Sequence, residues 1–253
     1  MKSKSIIVLT VLVFLMATDA SATTVFSDDF ENDTTGSFPT KWTIFNKYPD
    51  QINSVTTVVD EATAPGWIYE GNKSTRITFN GGSGSGIQTT FEPITQGVLT
   101  FYCNIDWATD DLQLMGLHNL SDTQSPGSHL ITVSACLNNS VWEYSVGGAF
   151  TGIPVVFDEY VKFDMYFDTK LSAATLYIND EITNFVDFPF ENPSSGVTTL
   201  RSCDDSGPGT AQWYLDNVTV TPEPSTFLLI GFGAVLLRKK RLLRTIKESP
   251  VQN

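Results

Sequence analysis

Between Thr23 and Pro222, no stretch of ten residues combines a 3.6-residue apolar period with helix-forming composition. In its place runs a series of short segments with apolar/polar alternation or β-rich composition: Ile52–Val59, Thr75–Phe79, Ile87–Phe91, Val98–Ile105, Leu112–Leu117, Leu130–Cys136, Val141–Val146, Val161–Phe167, Thr175–Ile178, Ile182–Val186 and Gln212–Val220. A period of two puts successive side chains on opposite faces of a sheet, as a half-buried strand requires. Turn signals separate them: Asn80-Gly81-Gly82-Ser83-Gly84-Ser85-Gly86, Ser125-Pro126-Gly127, Gly147-Gly148, Asn179-Asp180 and Asp204-Asp205-Ser206-Gly207-Pro208-Gly209. The Gly/Ser run fits a hairpin loop better than an interdomain linker. No repeat of fixed period is present. Many short, evenly spaced strands predict an all-β antiparallel sandwich or barrel.

The two ends read differently. Lys2 and Lys4, the apolar run Ile6–Met16 and Ala20-Ser21-Ala22 form the basic, apolar and cleavage regions of a signal peptide, residues 1–22. The mature chain then starts near Thr23. At the other end, Thr221-Pro222-Glu223-Pro224-Ser225-Thr226 leads into the apolar run Phe227–Leu237 and then Arg238-Lys239-Lys240-Arg241. The two prolines stop regular structure from running into the segment. The basic cluster marks a cytoplasmic end for one transmembrane helix at about 225–237, with 245–253 as a cytoplasmic tail. That helix spans roughly 20 Å against a hydrocarbon core of about 30 Å, a span that snorkelling of Arg238 and Lys239, or Leu242 and Leu243, can extend. A buried core helix is the alternative for a run of this length, but four consecutive cations do not normally cap one.

Pro222-Glu223-Pro224, the apolar helix and the basic end resemble the PEP-CTERM sorting signal of bacterial exported proteins, over about residues 222–244. The resemblance implies an exosortase-type processing enzyme as partner and cleavage near the motif. It also implies a membrane-anchored intermediate that ends at the cell surface or in the extracellular matrix.

Charge is divided sharply between domain and ends. The chain holds 15 Lys+Arg and 28 Asp+Glu. Setting aside the terminal Lys2, Lys4, Arg238, Lys239, Lys240, Arg241, Arg244 and Lys247, with Asp19, Glu223 and Glu248, leaves seven basic and 25 acidic residues, or −18. Nucleic acid is excluded as a partner by this balance, and so is adhesion to anionic lipid. Cys103, Cys136 and Cys203 are odd in number, and neither His118 nor His129 has a partner at zinc-ligand spacing.

Three further pieces carry a second resemblance. Phe26-Ser27-Asp28-Asp29-Phe30-Glu31 lies near the start and Trp213-Tyr214-Leu215-Asp216-Asn217-Val218-Thr219-Val220 near the end. Between them, Tyr160–Asp168 is followed by Ala174–Ile182. Together they resemble concanavalin A-like and laminin-G-like jelly rolls, which implies one two-sheet sandwich over residues 23–221 with its first and last strands adjacent. Asp180 stands where the laminin-G-like turn usually has Gly.

Asp28, Asp29, Glu31 and Asp216 meet if the chain ends pair, which makes them candidate ligands for a structural calcium ion; solvated edge charge is the alternative. Asp106–Asp111 and Asp204-Asp205 are weaker acidic candidates. Trp67, Trp107 and Trp142 are candidate sugar platforms, whereas Trp42 and Trp213 read as core. Neither a carboxylate pair at glycosidase spacing nor a nucleophile elbow is legible, and Gly82-Ser83-Gly84-Ser85-Gly86 reads as a loop. The expected function is a non-enzymatic exported surface or matrix protein, with extracellular polysaccharide as candidate ligand. The alternatives are a structural or adhesive protein without a small ligand and a glycan-active hydrolase of unrecognised type.

Overall fold

Residues 23–46, 54–81, 85–119, 129–190, 196–204 and 209–223 are described in the computed structural model. The expected signal peptide, Pro224 and the apolar run after it lie outside them. The strands are β1 Phe26–Asp28, β2 Thr43–Asn46, β3 Ser54–Asp60, β4 Lys73–Phe79, β5 Ser85–Ile94, β6 Gln96–Ala108, β7 Leu112–His118, β8 His129–Asn138, β9 Val141–Val146, β10 Ala149–Pro154, β11 Val161–Asp168, β12 Ala173–Ile178, β13 Glu181–Ile182, β14 Phe188–Pro189, β15 Val197–Asp204 and β16 Ala211–Pro222. Among the described residues there is no helix, and none is therefore long and apolar enough to cross a membrane.

The strands form two antiparallel sheets. Sheet A has the order β13-β12-β11-β6-β16-β4-β3, with β1 also on β16 and β14 on β12; sheet B has the order β10-β9-β8-β7-β15-β5-β2. All of this belongs to one compact unit, Thr24–Pro222. Alternation drives the layering. In β11, Val161, Phe163, Met165 and Phe167 are buried, and the residues between them are not. Leu99, Phe101, Cys103 and Ile105 of β6 oppose Ile87, Leu117, Ile131, Val133 and Leu200 of sheet B in a single core. None of the three cysteines is disulfide-bonded.

Three hairpins turn through two residues of positive φ: Asn139-Ser140, Gly147-Gly148 and Asn179-Asp180. Two positive φ values in sequence match the right-handed twist of the flanking strands. Asp180 adopts φ 65° in the laminin-G-like position, so the missing glycine is tolerated there. The expected strand Ile182–Val186 is shorter than its alternation suggests. After Ile182 the Thr183 hydroxyl donates to Leu176 O and accepts from Phe185 N, and the chain leaves the ladder.

β1 and β16 pair as expected, Phe26 opposite Val220 and Asp28 opposite Val218. β4 occupies the same side of β16 over Ala211–Leu215. Where β4 gives way to β1, β16 bulges: its register against β6 shifts between Asp216 and Thr219, and Asn217 takes φ 45°.

Candidate functional site

That bulge is the joint on which the calcium expectation rested. Asp28 accepts from Trp42 Nε1 at 2.8 Å and Phe30 N at 3.2 Å, and pairs with Lys41 at 3.4 Å. Asp29 accepts from Glu31 N. Glu31 Oε1 accepts from the amides of Asn72 and Lys73, 2.7 and 2.8 Å, and Lys73 Nζ donates back to Glu31 O and Asp33 O. Gly71 has φ +74°, and a Cβ there would lie 2.4 Å from Glu31 Oε1, so only glycine lets the carboxylate reach these amides. Asp216 Oδ2 accepts from Tyr69 N and Glu70 N, and Oδ1 from Asn217 N. Glu31 and Asp216 thus anchor the same segment, Tyr69–Lys73, from the two ends of the chain, while Asp28 and Asp29 are held within the N-terminal segment. Among the described residues no three Asp, Glu, His or Cys side chains converge as a metal-ligand group.

The candidate aromatic platforms separate. Trp67 is half-buried and stacks on Tyr214 at 4.5 Å over the outer face of sheet A. Trp142 is half-buried and meets Phe157 edge-on at 5.9 Å against the core. Trp107 is exposed at the end of β6. Sequence reasoning missed Tyr69, which is 45% exposed and stacks on Tyr102 at 3.8 Å. It sits in a loop that carries no strand periodicity. Pro222 closes β16 opposite Gly97, and Glu223 follows it.

A polar array covers the outer face of sheet B. Core side chains of this sheet, Ile87, Leu117, Ile131, Val133, Tyr144 and Leu200, point inward. Their neighbours point the other way, because residues paired across a sheet share a face. One row across five strands reads Thr43, Gln88, Arg201, Gly116 and Thr132; the next holds Phe45, Gly86, Cys203, Gln113, Ser134 and Ser145. Thr199 and His118 follow on the other side. Gln113, His118, Thr132, Ser134, Ser145 and Thr199 are all buried, an unusual composition for the outside of a sandwich.

Side-chain contacts knit this array. Gln113 Nε2 donates to Arg201 O at 3.1 Å and faces His118 Nε2 at 3.2 Å. An amide nitrogen only donates, so His118 Nε2 is the acceptor in that contact. Gly116 makes the meeting possible: a Cβ there would fall 2.5 Å from Gln113 Nε2 and 2.6 Å from His118 Nε2. Arg201 lays its guanidinium 3.7 Å from the Phe45 ring centroid and donates from Nη2 to Gln88 Oε1 at 3.1 Å. Strict alternation puts Gln113 and His118, five residues apart, on opposite faces. A bulge in β7 between Gln113 and Met115 restores them to one face, and no sequence pattern announced it.

No protein-family model matches the chain, and no curated protein matches it. Solved structures share the sandwich. A sialidase aligns over 80% of this chain with TM-score 0.59 at 10% identity, and this chain spans 19% of the sialidase's length. A mutant of the alginate lyase Aly36B, in complex with alginate trisaccharide, aligns over 80% of this chain and 99% of its own, TM-score 0.51 at 11% identity. Domain 4 of AbnA, an extracellular arabinanase from Geobacillus stearothermophilus, in complex with arabinotriose, aligns over 81% of this chain and 96% of its own, TM-score 0.48 at 15% identity. These likenesses are of fold, and fold does not fix activity.

Proposed function

We propose that the domain binds a glycan on the outer face of sheet B and does not cleave it. One observation carries this reading: the half-buried Gln88 and Arg201 share one face of the sheet, with the buried Gln113, His118, Thr132 and Ser134 packed beside them around Gly116. Planar amide, imidazole and guanidinium groups beside hydroxyls match the donor and acceptor pattern of a sugar ring. The glycan-active names of the sialidase and the alginate lyase agree with this reading. Binding without cleavage is favoured because the array is built from amides and hydroxyls and not from an opposed carboxylate pair. The test is a glycan panel against the full chain. Gln88→Ala and Gln113→Ala should each weaken binding by about tenfold, the worth of a hydrogen bond or two, with the melting temperature as control for folding. Binding unchanged in both variants would remove the site from this face.

We further propose that the protein is exported and sorted to the cell surface or matrix by the segment that begins at Pro222. The tripartite sequence Pro222–Arg241 supports it. Mass spectrometry of the extracellular protein should find its C-terminus near Glu223. Intact Phe227–Asn253 on most of that material would refute processing.

A further inference from the structure

Arg201 is out of place by charge. Only seven basic residues belong to the exported part, against 25 acidic ones. Four of the others are occupied or lie elsewhere: Lys41 pairs with Asp28, Lys73 holds two backbone carbonyls, Lys162 bridges Asp164 and Asp180, and Arg76 faces out from sheet A beside Tyr214. Arg201 is the one Lys or Arg in the strands of sheet B. It is half-buried, its Nε is buried with no hydrogen-bond partner, and among the described residues no carboxylate pairs with it. Its neighbours are neutral: the Phe45 ring, the Gln88 amide, Gly116 and the Gln113 amide that caps its carbonyl. Burial pushes its pKa down, yet a guanidinium stays charged at any physiological pH. A half-buried cation is costly to hold without a counter-charge, and among the described residues no carboxylate supplies one.

We infer that the counter-charge arrives with the ligand: the glycan held on this face is anionic, and Arg201 takes the oxygens of its carboxylate or sulfate group. This rests on the glycan-binding reading above and narrows it to acidic sugars. The planar guanidinium is suited to such oxyanions, and Phe45 holds its plane fixed from beneath. The net charge of the domain does not forbid it. Exposed charges are screened beyond about 8 Å at physiological salt, whereas the contact at Arg201 is local and partly dehydrated. Raising salt from a low value to a physiological one should therefore strengthen binding, opposite to the behaviour of a basic patch.

Matched pairs of probes test this on the full chain by calorimetry: trigalacturonate against its methyl ester, a mannuronate/guluronate trimer against its methyl ester, and a sulfated galactan oligomer against its desulfated form. The acidic member of at least one pair should bind about tenfold or more tightly than its neutral partner, as a charge-assisted contact requires. The pair that responds tells carboxylate from sulfate. Arg201→Gln should erase that difference and melt no lower than the parent, because it removes a half-buried charge that no described carboxylate offsets; Arg201→Lys should retain part of it. Equal binding of acidic and neutral members, or a preference that survives Arg201→Gln, overturns the anionic assignment while glycan binding stands. Binding of no probe in any pair, neutral members included, overturns both. A lower melting temperature in Arg201→Gln with an unchanged preference would assign the side chain to the fold instead.

Discussion

Trp213→Ala should cost about 3–5 kcal/mol of stability, the range for removing a large aromatic side chain from a packed core. Trp213 is fully buried in β16, the strand on which β6, β4 and β1 all pair, and its Nε1 donates to Ser202 Oγ of β15 at 3.1 Å. One residue therefore fills the space between the sheets and joins them by a hydrogen bond. Alanine leaves a cavity and deprives a buried hydroxyl of its partner. For a domain of this size the melting temperature should fall by roughly 10 °C. Trp213→Phe keeps most of the volume and loses the hydrogen bond, so its cost should be about 1–2 kcal/mol. Equal losses in the two variants would mean that the hydrogen bond, not the packing, dominates. A loss below about 1 kcal/mol for alanine would contradict the placement of Trp213 at the centre of the core.

The second large effect is on pH dependence, through Asp216. Burial pushes its carboxyl up to about 7 from an ordinary 3.8, against the three backbone amides that donate to it and with the Glu31 carboxylate adding to the rise. The folded state holds this proton more tightly than the unfolded chain, so stability falls as pH rises between those two values. The contribution is largest below 3.8, declines through the interval and is gone above about 7, a change on the order of 4 kcal/mol. Asp28 is shifted in the same direction, burial again being the first cause, while Asp60 is held low by the Thr63 and Thr35 hydroxyls. Asp60 is opposite in sign and acts below the ordinary carboxylate value. The melting temperature should therefore fall from pH 5 to pH 8, and Asp216→Asn should flatten that slope. A wild-type slope that is level or rising over this interval, or an unchanged slope in the asparagine variant, would show that Asp216 does not hold its proton as its burial requires.

The architecture was legible where sequence and sheet obey the same period. β6, β11 and β12 alternate in sequence as they do in burial, and the Asn179-Asp180 turn could be placed to the residue. The pairing of β1 with β16 followed from the two terminal motifs. The polar site was less visible because its strands break that rule. β15, Val197–Asp204, buries Thr199 and Ser202 on opposite faces, so its sequence shows neither alternation nor an apolar run. It was absent from the expected strands, and Arg201 with it. His118 stood out only as a histidine with no partner at metal-ligand spacing; the β7 bulge that turns it toward Gln113 has no glycine or proline within Gln113–Met115, and only Gly116 adjoins it. The acidic residues at the chain ends were rightly placed near one another, but sequence gave no means to see that Glu31 and Asp216 are taken up by the amides of Asn72, Lys73, Tyr69 and Glu70. Those donors belong to a loop and the first residue of β4, more than thirty residues from Glu31 and more than a hundred from Asp216. Exposed aromatics, in turn, were sought among tryptophans, whereas the most open stacked ring on sheet A is a tyrosine.

A glycan on the outer face of sheet B should be visible in the strands beneath it. Amide hydrogen exchange of the full chain, with and without whichever oligosaccharide of the panel binds, tests this directly, because occupancy of a face slows opening of the strands beneath it. Slowed exchange in β7, β8 and β15, with the loop 61–72 over sheet A unaffected, is the result this account predicts. Protection confined to residues 61–72 and β6, with β7, β8 and β15 unchanged, would place the ligand on the Tyr69–Tyr102 aromatic face and contradict it.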